Sequence, residues 1–433
     1  MATKVLILSS GRCGWGQCLF CGWGKKTAAV DVEALKRRVN YELIPELETL
    51  KVFSSGSFFD DRQFPPEFRE WFAQKCRDMK IKEVIVESRP EFITEPNLEQ
   101  FKGINLTVAI GLEVADDKIL SKLKKGFEVA DFEIAAQLIR MKGCMVRMYL
   151  LVNPPLVEDT QATIDKSVEY ALKWADSIVL INTFPHSESG IFDLWLEGKW
   201  SPLDQEQFGE IISKWADNPK IELDFENWAF VPKFPRHRQV FLNGVGEEFL
   251  THRYYEIWQD YLVRLYRPPE NRDILLFLPC AFGKPYSRSK LHRRIIRTLG
   301  DIPNSNRIHH VMISSPGVIP REFERYYPFA HYDWSEWDET PEIKKRYIEV
   351  TWKRIENFLR KHYSHYKKVF YYLRPDSESA EALKRACNNL GIEPIPCVDP
   401  EKFEKFREAF KKNPLAEEVF LAELKNKISQ NLS

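Results

Sequence analysis

Ser9-Ser10-Gly11-Arg12-Cys13-Gly14-Trp15-Gly16-Gln17-Cys18-Leu19-Phe20-Cys21-Gly22 follows directly on an apolar run, Val5 to Leu8. The thiols are spaced Cys-x4-Cys-x2-Cys, with an aromatic residue just before the last. Three thiolates do not fill a four-cysteine zinc or iron–sulfur site. They would satisfy three irons of a 4Fe-4S cluster and leave the fourth open to a substrate or cofactor. A structural zinc with a distant fourth ligand is the competing reading of the same residues. Unrelated core thiols fit poorly with the glycines and loop around them.

Outward from this stretch, strand and helix patterns alternate. Val5–Leu8, Lys51–Phe53, Glu83–Val86, Leu106–Ile110, Val146–Val152 and Ser177–Ile181 read as strands. Helical periodicity begins near Asp31 and recurs over Pro66–Met79, Phe132–Arg140 and Thr160–Trp174. Cys76 falls on the apolar face of the second of these and is expected in the core. Six strands separated by helices predict an α/β fold with a parallel sheet closed wholly or partly into a barrel. Chemistry in such folds gathers where strands end. There the sequence places the cysteines, Ser54 to Asp61, Glu87-Ser88-Arg89, Gly111-Leu112-Glu113, Asn153 and Asn182.

The chain has 433 residues, enough for two or three domains, and 44% apolar residues to fill their cores. Lys+Arg and Asp+Glu balance at 63 each, so any nucleic-acid surface must be local. Eight cysteines without a secretory apolar segment predict a cytoplasmic protein whose clustered thiols serve metal or redox chemistry. No apolar run approaches a membrane span, and no membrane association is expected.

The Cys-x-aromatic-Cys ending resembles the cluster motif of radical S-adenosylmethionine (SAM) enzymes, here with four residues rather than the usual three in the first spacing. Residues 1–235 resemble the subfamily related to the catalytic subunit of Elongator, and within it the archaeosine-forming enzymes. The resemblance implies a partial (β/α)6 barrel, with Cys13, Cys18 and Cys21 as cluster ligands and SAM on the open iron. It implies an external electron donor as well. Ser55, Gly56 and Ser57 would then lay backbone N–H groups against the methionyl part, although the family's Gly-Gly-Glu word is missing from this loop. Glu87 would accept from ribose hydroxyls or the amino group, and Arg89 would fork onto the carboxylate. A mutual ion pair of Glu87 and Arg89 is the alternative. Glu113 would face SAM or substrate, with Asn153 at the end of the fifth strand.

A polar stretch from Arg236 to Gly246 and a helix bearing Tyr254, Trp258, Tyr261 and Leu265 lead into a second α/β unit, placed at 236–433. Ile274–Leu278, Val311–Ile313, Val369–Leu373 and Glu393–Cys397 read as its strands, and the aromatic stripe as core. The word Pro279-Cys280-Ala281-Phe282-Gly283-Lys284-Pro285-Tyr286-Ser287-Arg288-Ser289-Lys290-Leu291-His292 resembles the Pro-Cys-x3-Lys-Pro-Tyr-x2-Ser-x2-His hallmark of archaeosine synthase. In that family the domain is associated with adding lysine to a 7-cyano-7-deazaguanine base in tRNA. Cys280, at a strand end near a helix start that would lower its pKa, is a candidate nucleophile for a nitrile carbon. Lys284 and His292 are candidate proton carriers. Alternatively Cys280 merely closes a strand, and Lys284, Arg288, Lys290, Arg293, Arg294 and Arg297 face phosphate. The charged stretch from Glu401 onward reads as a solvated helix, so tRNA docking is expected to involve a separate archaeosine synthase subunit.

Together these implications describe a radical SAM lyase that forms archaeosine by cleaving a lysine-adducted 7-deazaguanine in tRNA. Its second domain would add the lysine or hold the base. A radical enzyme for another tRNA base or a small molecule, and a non-catalytic iron–sulfur RNA-binding protein, are the alternatives.

Overall fold

The first apolar run forms β1 (Thr3–Leu8), followed by β2 (Thr49–Ser54), β3 (Glu83–Glu87), β4 (Asn105–Glu113), β5 (Met145–Val152), β6 (Ser177–Asn182) and β7 (Ile221–Asp224). In this computed structural model, residues 2–225, 231–410 and 414–431 are described. The seven strands pair in chain order, all parallel, in one sheet whose edges are β1 and β7. The fold is therefore α/β with a partial barrel. The seventh strand was not expected: Ile-Glu-Leu-Asp is short and half acidic, and its pairing with β6 decides its conformation.

Period-two alternation sorts each strand into two faces. Val84 and Val86, Val108 and Ile110, Met148 and Leu150, and Ile178 and Leu180 are buried beneath the helices. The opposite phase, including Lys51, Glu87, Arg147, Tyr149 and Glu222, lines the concave side. Two of the expected helices begin at aspartate caps. The Asp31 carboxylate accepts from Ala34 N–H at 2.9 Å and starts Val32–Glu42, and Asp159 does the same for Thr160–Trp174. The helix Pro66–Asp78 buries Phe68, Phe72 and Cys76. Phe58 meets Phe64, Phe68, Phe72 and Phe101 with ring centroids 5.1–6.4 Å apart. Each fully buried phenylalanine contributes about 1.5–3 kcal/mol, so this cluster is a principal support of the β2–β3 side.

The chain divides into two compact units, Met1–Phe230 and Val231–Ser433. In the second, β8 (Leu242–Asn243) pairs with β12 (Tyr332–Asp333). The main sheet runs β11 (Gly317–Pro320), β10 (Ile308–Ser314), β9 (Ile274–Pro279), β13 (Lys368–Tyr371), β14 (Ile395–Pro396). Central β9 is buried from Ile274 through Leu278, as its unbroken apolar run requires. Strand β11 is antiparallel, an addition to the sequence reading. Ser314-Ser315-Pro316-Gly317 ends β10 and closes its hairpin with β11, with Gly317 at φ +105°.

The helix Arg253–Arg264 buries Tyr255, Trp258, Tyr261 and Leu262, so its aromatic stripe is core. The solvated C-terminal helix is corrected. Two helices, Pro400–Phe410 and Glu418–Ser429, form there, and Phe403, Phe420, Leu421, Leu424 and Ile428 are buried. Their apolar residues recur at helical spacing among the charges, and that face finds a partner. Among the described residues, no helix is long and apolar enough to cross a membrane.

Candidate active site at the strand ends

The cysteine loop leaves the carboxyl end of β1 and is pinned at several points. Trp15 Nε1 donates to the Lys124 carbonyl at 2.7 Å, Leu19 N to the Leu123 carbonyl at 2.9 Å, and Gly24 N to Cys21 Sγ at 3.4 Å. Two glycines are needed for close approach. A Cβ on Gly22 would fall 1.8 Å from His186 Nδ1, and one on Gly126 2.3 Å from the Trp15 ring. Cys13, Cys18 and Cys21 are all half-buried free thiols. Burial pushes Cys18 and Cys21 up, and nearby Lys125 pulls both back. Among the described residues, no three His, Cys, Asp or Glu side chains gather as ligands of one metal ion. Thiolates that bind separate irons of a cluster need not share such a point.

A cavity of about 570 Å³ opens beside this loop, lined in part by Cys21, Ser55, Glu87, Glu113 and His186. Glu87 accepts from Ser54 N–H at 3.1 Å. Burial, with a smaller contribution from the Glu113 charge, lifts its pKa to about 7. Glu113 sits at a register shift of β4 with φ +73°, a backbone conformation unusual for glutamate and a common mark of functional sites. Its carboxylate meets Lys125 Nζ at 2.7 Å. Lys125 stays charged because Glu113 and Cys18 outweigh the cost of burying it.

Sequence reasoning missed Lys125, which lies twelve residues beyond Glu113 with no strand pattern to flag it. A buried ammonium beside thiols and a carboxylate can hold an anion there. Ser54 Oγ and Thr183 Oγ1, also at the cavity, are among the buried side-chain atoms without a hydrogen-bond partner within the described residues. They leave polar capacity for a ligand. Three half-buried thiols, this cation and these open polar atoms fit a three-cysteine cluster carrying a polar cofactor.

Other expected contacts are already committed elsewhere. Buried Gln63 organises the loop after β2. Its Oε1 accepts from Ser57 N at 2.8 Å, its Nε2 donates to the Ser10 carbonyl, and a Cβ on Gly56 would collide with it. Ser57 Oγ accepts from Arg89 N at 3.0 Å. The Ser57 backbone N–H is therefore already used, its hydroxyl oxygen is engaged as an acceptor, and Gly56 makes room for Gln63. Arg89 does not pair with Glu87. It donates to Glu91 at 2.5 Å and to the Lys125 carbonyl at 2.9 Å, clamping the segment that carries Lys125. Asn153, at φ +60°, donates to the Ser201 carbonyl at 3.0 Å and is not among the cavity-lining residues.

In the second unit, Cys280 follows β9, but the next α-helix, Lys290–Gly300, starts ten residues later, capped by Ser289. The thiol gains no helix end. Burial and Glu336, 3.9 Å away, push it up to about 11, correcting the expected lowering. Lys284 Nζ lies 4.1 Å from the Tyr332 ring centre, and burial lowers its pKa. Lys284 lines a cavity of about 510 Å³ with Asn243, Phe282, His331 and Asp333. His292 is fully buried and pushed down to about 3. Its Nε2–H donates to the Pro279 carbonyl at 2.9 Å, and its Nδ1 accepts from Arg321 at 2.9 Å. Both nitrogens are used, so it holds the strand end in place and is not available to move protons. His309 is also buried, against Tyr366 and Glu322, and half-buried His310 accepts from Arg321.

Residues 256–408 match a family described as Domain of unknown function (DUF5591). The chain is 30% identical over 220 residues to archaeosine synthase subunit beta of Methanosarcina acetivorans, covering 46% of this chain and 63% of that one. It is also 34% identical over 173 residues to archaeosine synthase subunit alpha of the same organism, covering 40% of this chain and 26% of that one. In each case it spans less than two thirds of the relative's length. A queuine lyase from Clostridium spiroforme, solved with SAM and queuine, aligns with TM-score 0.40 and 21% identity over 51% of this chain and 90% of that one. The chain is thus similar in sequence to parts of both archaeosine synthase subunits.

Proposed function

We propose that this chain, related by sequence to both subunits of archaeosine synthase, is a radical SAM lyase that modifies tRNA. Its substrate would be a 7-deazaguanine base bearing lysine, and its product archaeosine. The observation that carries this reading is the three-cysteine loop at the end of β1, beside a cavity that also holds Glu87 and Glu113. When bound, a cluster ligated by Cys13, Cys18 and Cys21 and carrying SAM supplies a 5'-deoxyadenosyl radical.

The protein's own part is to hold, orient and exclude water. Lys125, fixed by Glu113, would place a positive charge against a carboxylate. Glu87, with a pKa of about 7, can accept or donate a hydrogen bond at neutral pH. Ser54 and Thr183 offer hydroxyls unpartnered among the described residues, and the rings of Phe20, Trp23 and Phe53 give the cavity its apolar lining. In the second unit the Cys280 thiol is held protonated, which supports binding the modified nucleoside over attack on a nitrile.

Anaerobic reconstitution tests the chemistry, with iron near four per chain and 5'-deoxyadenosine formed on adding SAM and dithionite as the expected result on a cluster of this kind. Zinc in a closed shell would overturn it. Nucleoside analysis tests the substrate: tRNA from a strain lacking the protein should lose archaeosine and accumulate the lysine adduct. Unchanged archaeosine would remove this reading.

A further inference from the structure

Below the strand ends, the concave face carries charges that the cysteine loop does not use. Arg147 on β5 donates to Glu222 on β7, and Lys51 on β2 lies 3.5 Å from the same carboxylate. All three line the cavity, two to five residues before their strand ends, among Phe53, Tyr149 and Val179. We propose that Arg147, Lys51 and Glu222 form a wall that binds an amino-acid head group, its carboxylate on the two cations and its ammonium on Glu222. This rests on the reading that the substrate base carries lysine.

Three observations support the assignment. First, the ion pair is lopsided: the Arg147 side chain is 9% exposed and that of Glu222 52%. A pair made only for stability gains little from sinking the cation while leaving the anion at the rim, because burying a guanidinium is costly. Second, Arg147 Nη1 reaches Ser177 Oγ at 3.3 Å, yet its Nε is buried with no hydrogen-bond partner among the described residues. An open donor on a buried cation is what a ligand carboxylate satisfies, along the edge of the guanidinium. Third, Arg147 and Lys51 stand together with the Glu222 carboxylate on one stretch of the cavity wall, with Glu87 and Asp224 as further acids lining the cavity. A simple anion would be repelled by Glu222 and a simple cation by Arg147 and Lys51, so a zwitterion is the matching charge pattern. Glu222 stays ionised because Arg147 and Lys51 outweigh its burial.

The test is equilibrium binding to the reconstituted protein in the presence of SAM, using three synthetic ligands. These are 7-deazaguanine joined to lysine, to cadaverine, which lacks the carboxylate, and to 6-aminohexanoate, which lacks the α-amino group. The parent protein should prefer the lysine adduct over each of the others by about tenfold or more. Arg147→Met should lose the preference over the cadaverine adduct, with Arg147→Lys keeping part of it. Glu222→Gln, whose amide oxygen can still accept from Arg147, should lose the preference over the aminohexanoate adduct. SAM affinity should stay unchanged throughout. Equal binding of all three ligands, or preferences that survive both substitutions, would overturn the wall and leave the proposed function standing. A parent protein that binds none of the three would overturn the substrate reading, and the wall with it.

Discussion

Lys125 Nζ lies 2.7 Å from Glu113 Oε1, and both side chains are 8% exposed. This pair joins the register shift of β4 to the segment held by Trp15 and Arg89, so it ties the cavity's carboxylate to the cysteine loop. A buried pair broken on one side leaves an uncompensated charge.

Lys125→Met should therefore destabilise the first unit by about 3–5 kcal/mol, most of it from the stranded Glu113 carboxylate. Glu113→Gln in the same chain should recover much of that loss. Urea unfolding of the single and double variants, without cluster, measures the coupling. Additive effects would show that the pair is not a unit.

Glu87 gives the first unit a pH signature. Its folded pKa, about 7, lies above the ordinary carboxylate value of 4.5, so the folded state binds a proton more readily than the unfolded state between these limits. Its contribution to stability is full below pH ~4.5 and declines as pH rises through about 7. Glu87→Gln removes the cost of ionisation while still accepting from Ser54 N–H. It should leave stability at pH 4 nearly unchanged and raise it at pH 8 by about 1–3 kcal/mol. Melting curves at the two pH values check the sign.

The cysteines should separate cleanly. Cys18→Ala should abolish iron loading and 5'-deoxyadenosine formation. Cys76, fully buried and with its thiol pushed up to about 12, should affect only packing. Cys76→Ala should cost about 1–2 kcal/mol and retain full iron content. Iron and sulfide analysis after anaerobic reconstitution distinguishes the two, and full loading of the Cys18 variant would contradict the ligand assignment.

His292 should behave as a support. His292→Ala strands the Pro279 carbonyl and one Arg321 donor, costing about 2–4 kcal/mol for two unsatisfied buried groups. His292→Gln, with a donor and an acceptor at similar reach, should restore part of this. Chemical denaturation of both variants measures it, and an unchanged midpoint for the alanine variant would refute the role.

Local pattern was enough for the first six strands, the helix starts near Asp31 and Thr160, the core placement of Cys76 and the cysteine loop at the end of β1. Each depends on neighbours within a few residues: alternation, a capping oxygen, a thiol spacing. The seventh strand and antiparallel β11 escaped because pairing with a distant strand decided their conformation. Gln63 taking up Ser57, Lys125 meeting Glu113, Arg147 meeting Glu222, and Cys280 finding no helix end were likewise decided by tertiary structure. Which side chains converge is set by strand register and sheet curvature, which bring together residues as far apart as Lys51 and Glu222. The sequence alone determined that a thiol loop ends a parallel strand; only the folded sheet decided which charges stand beside it.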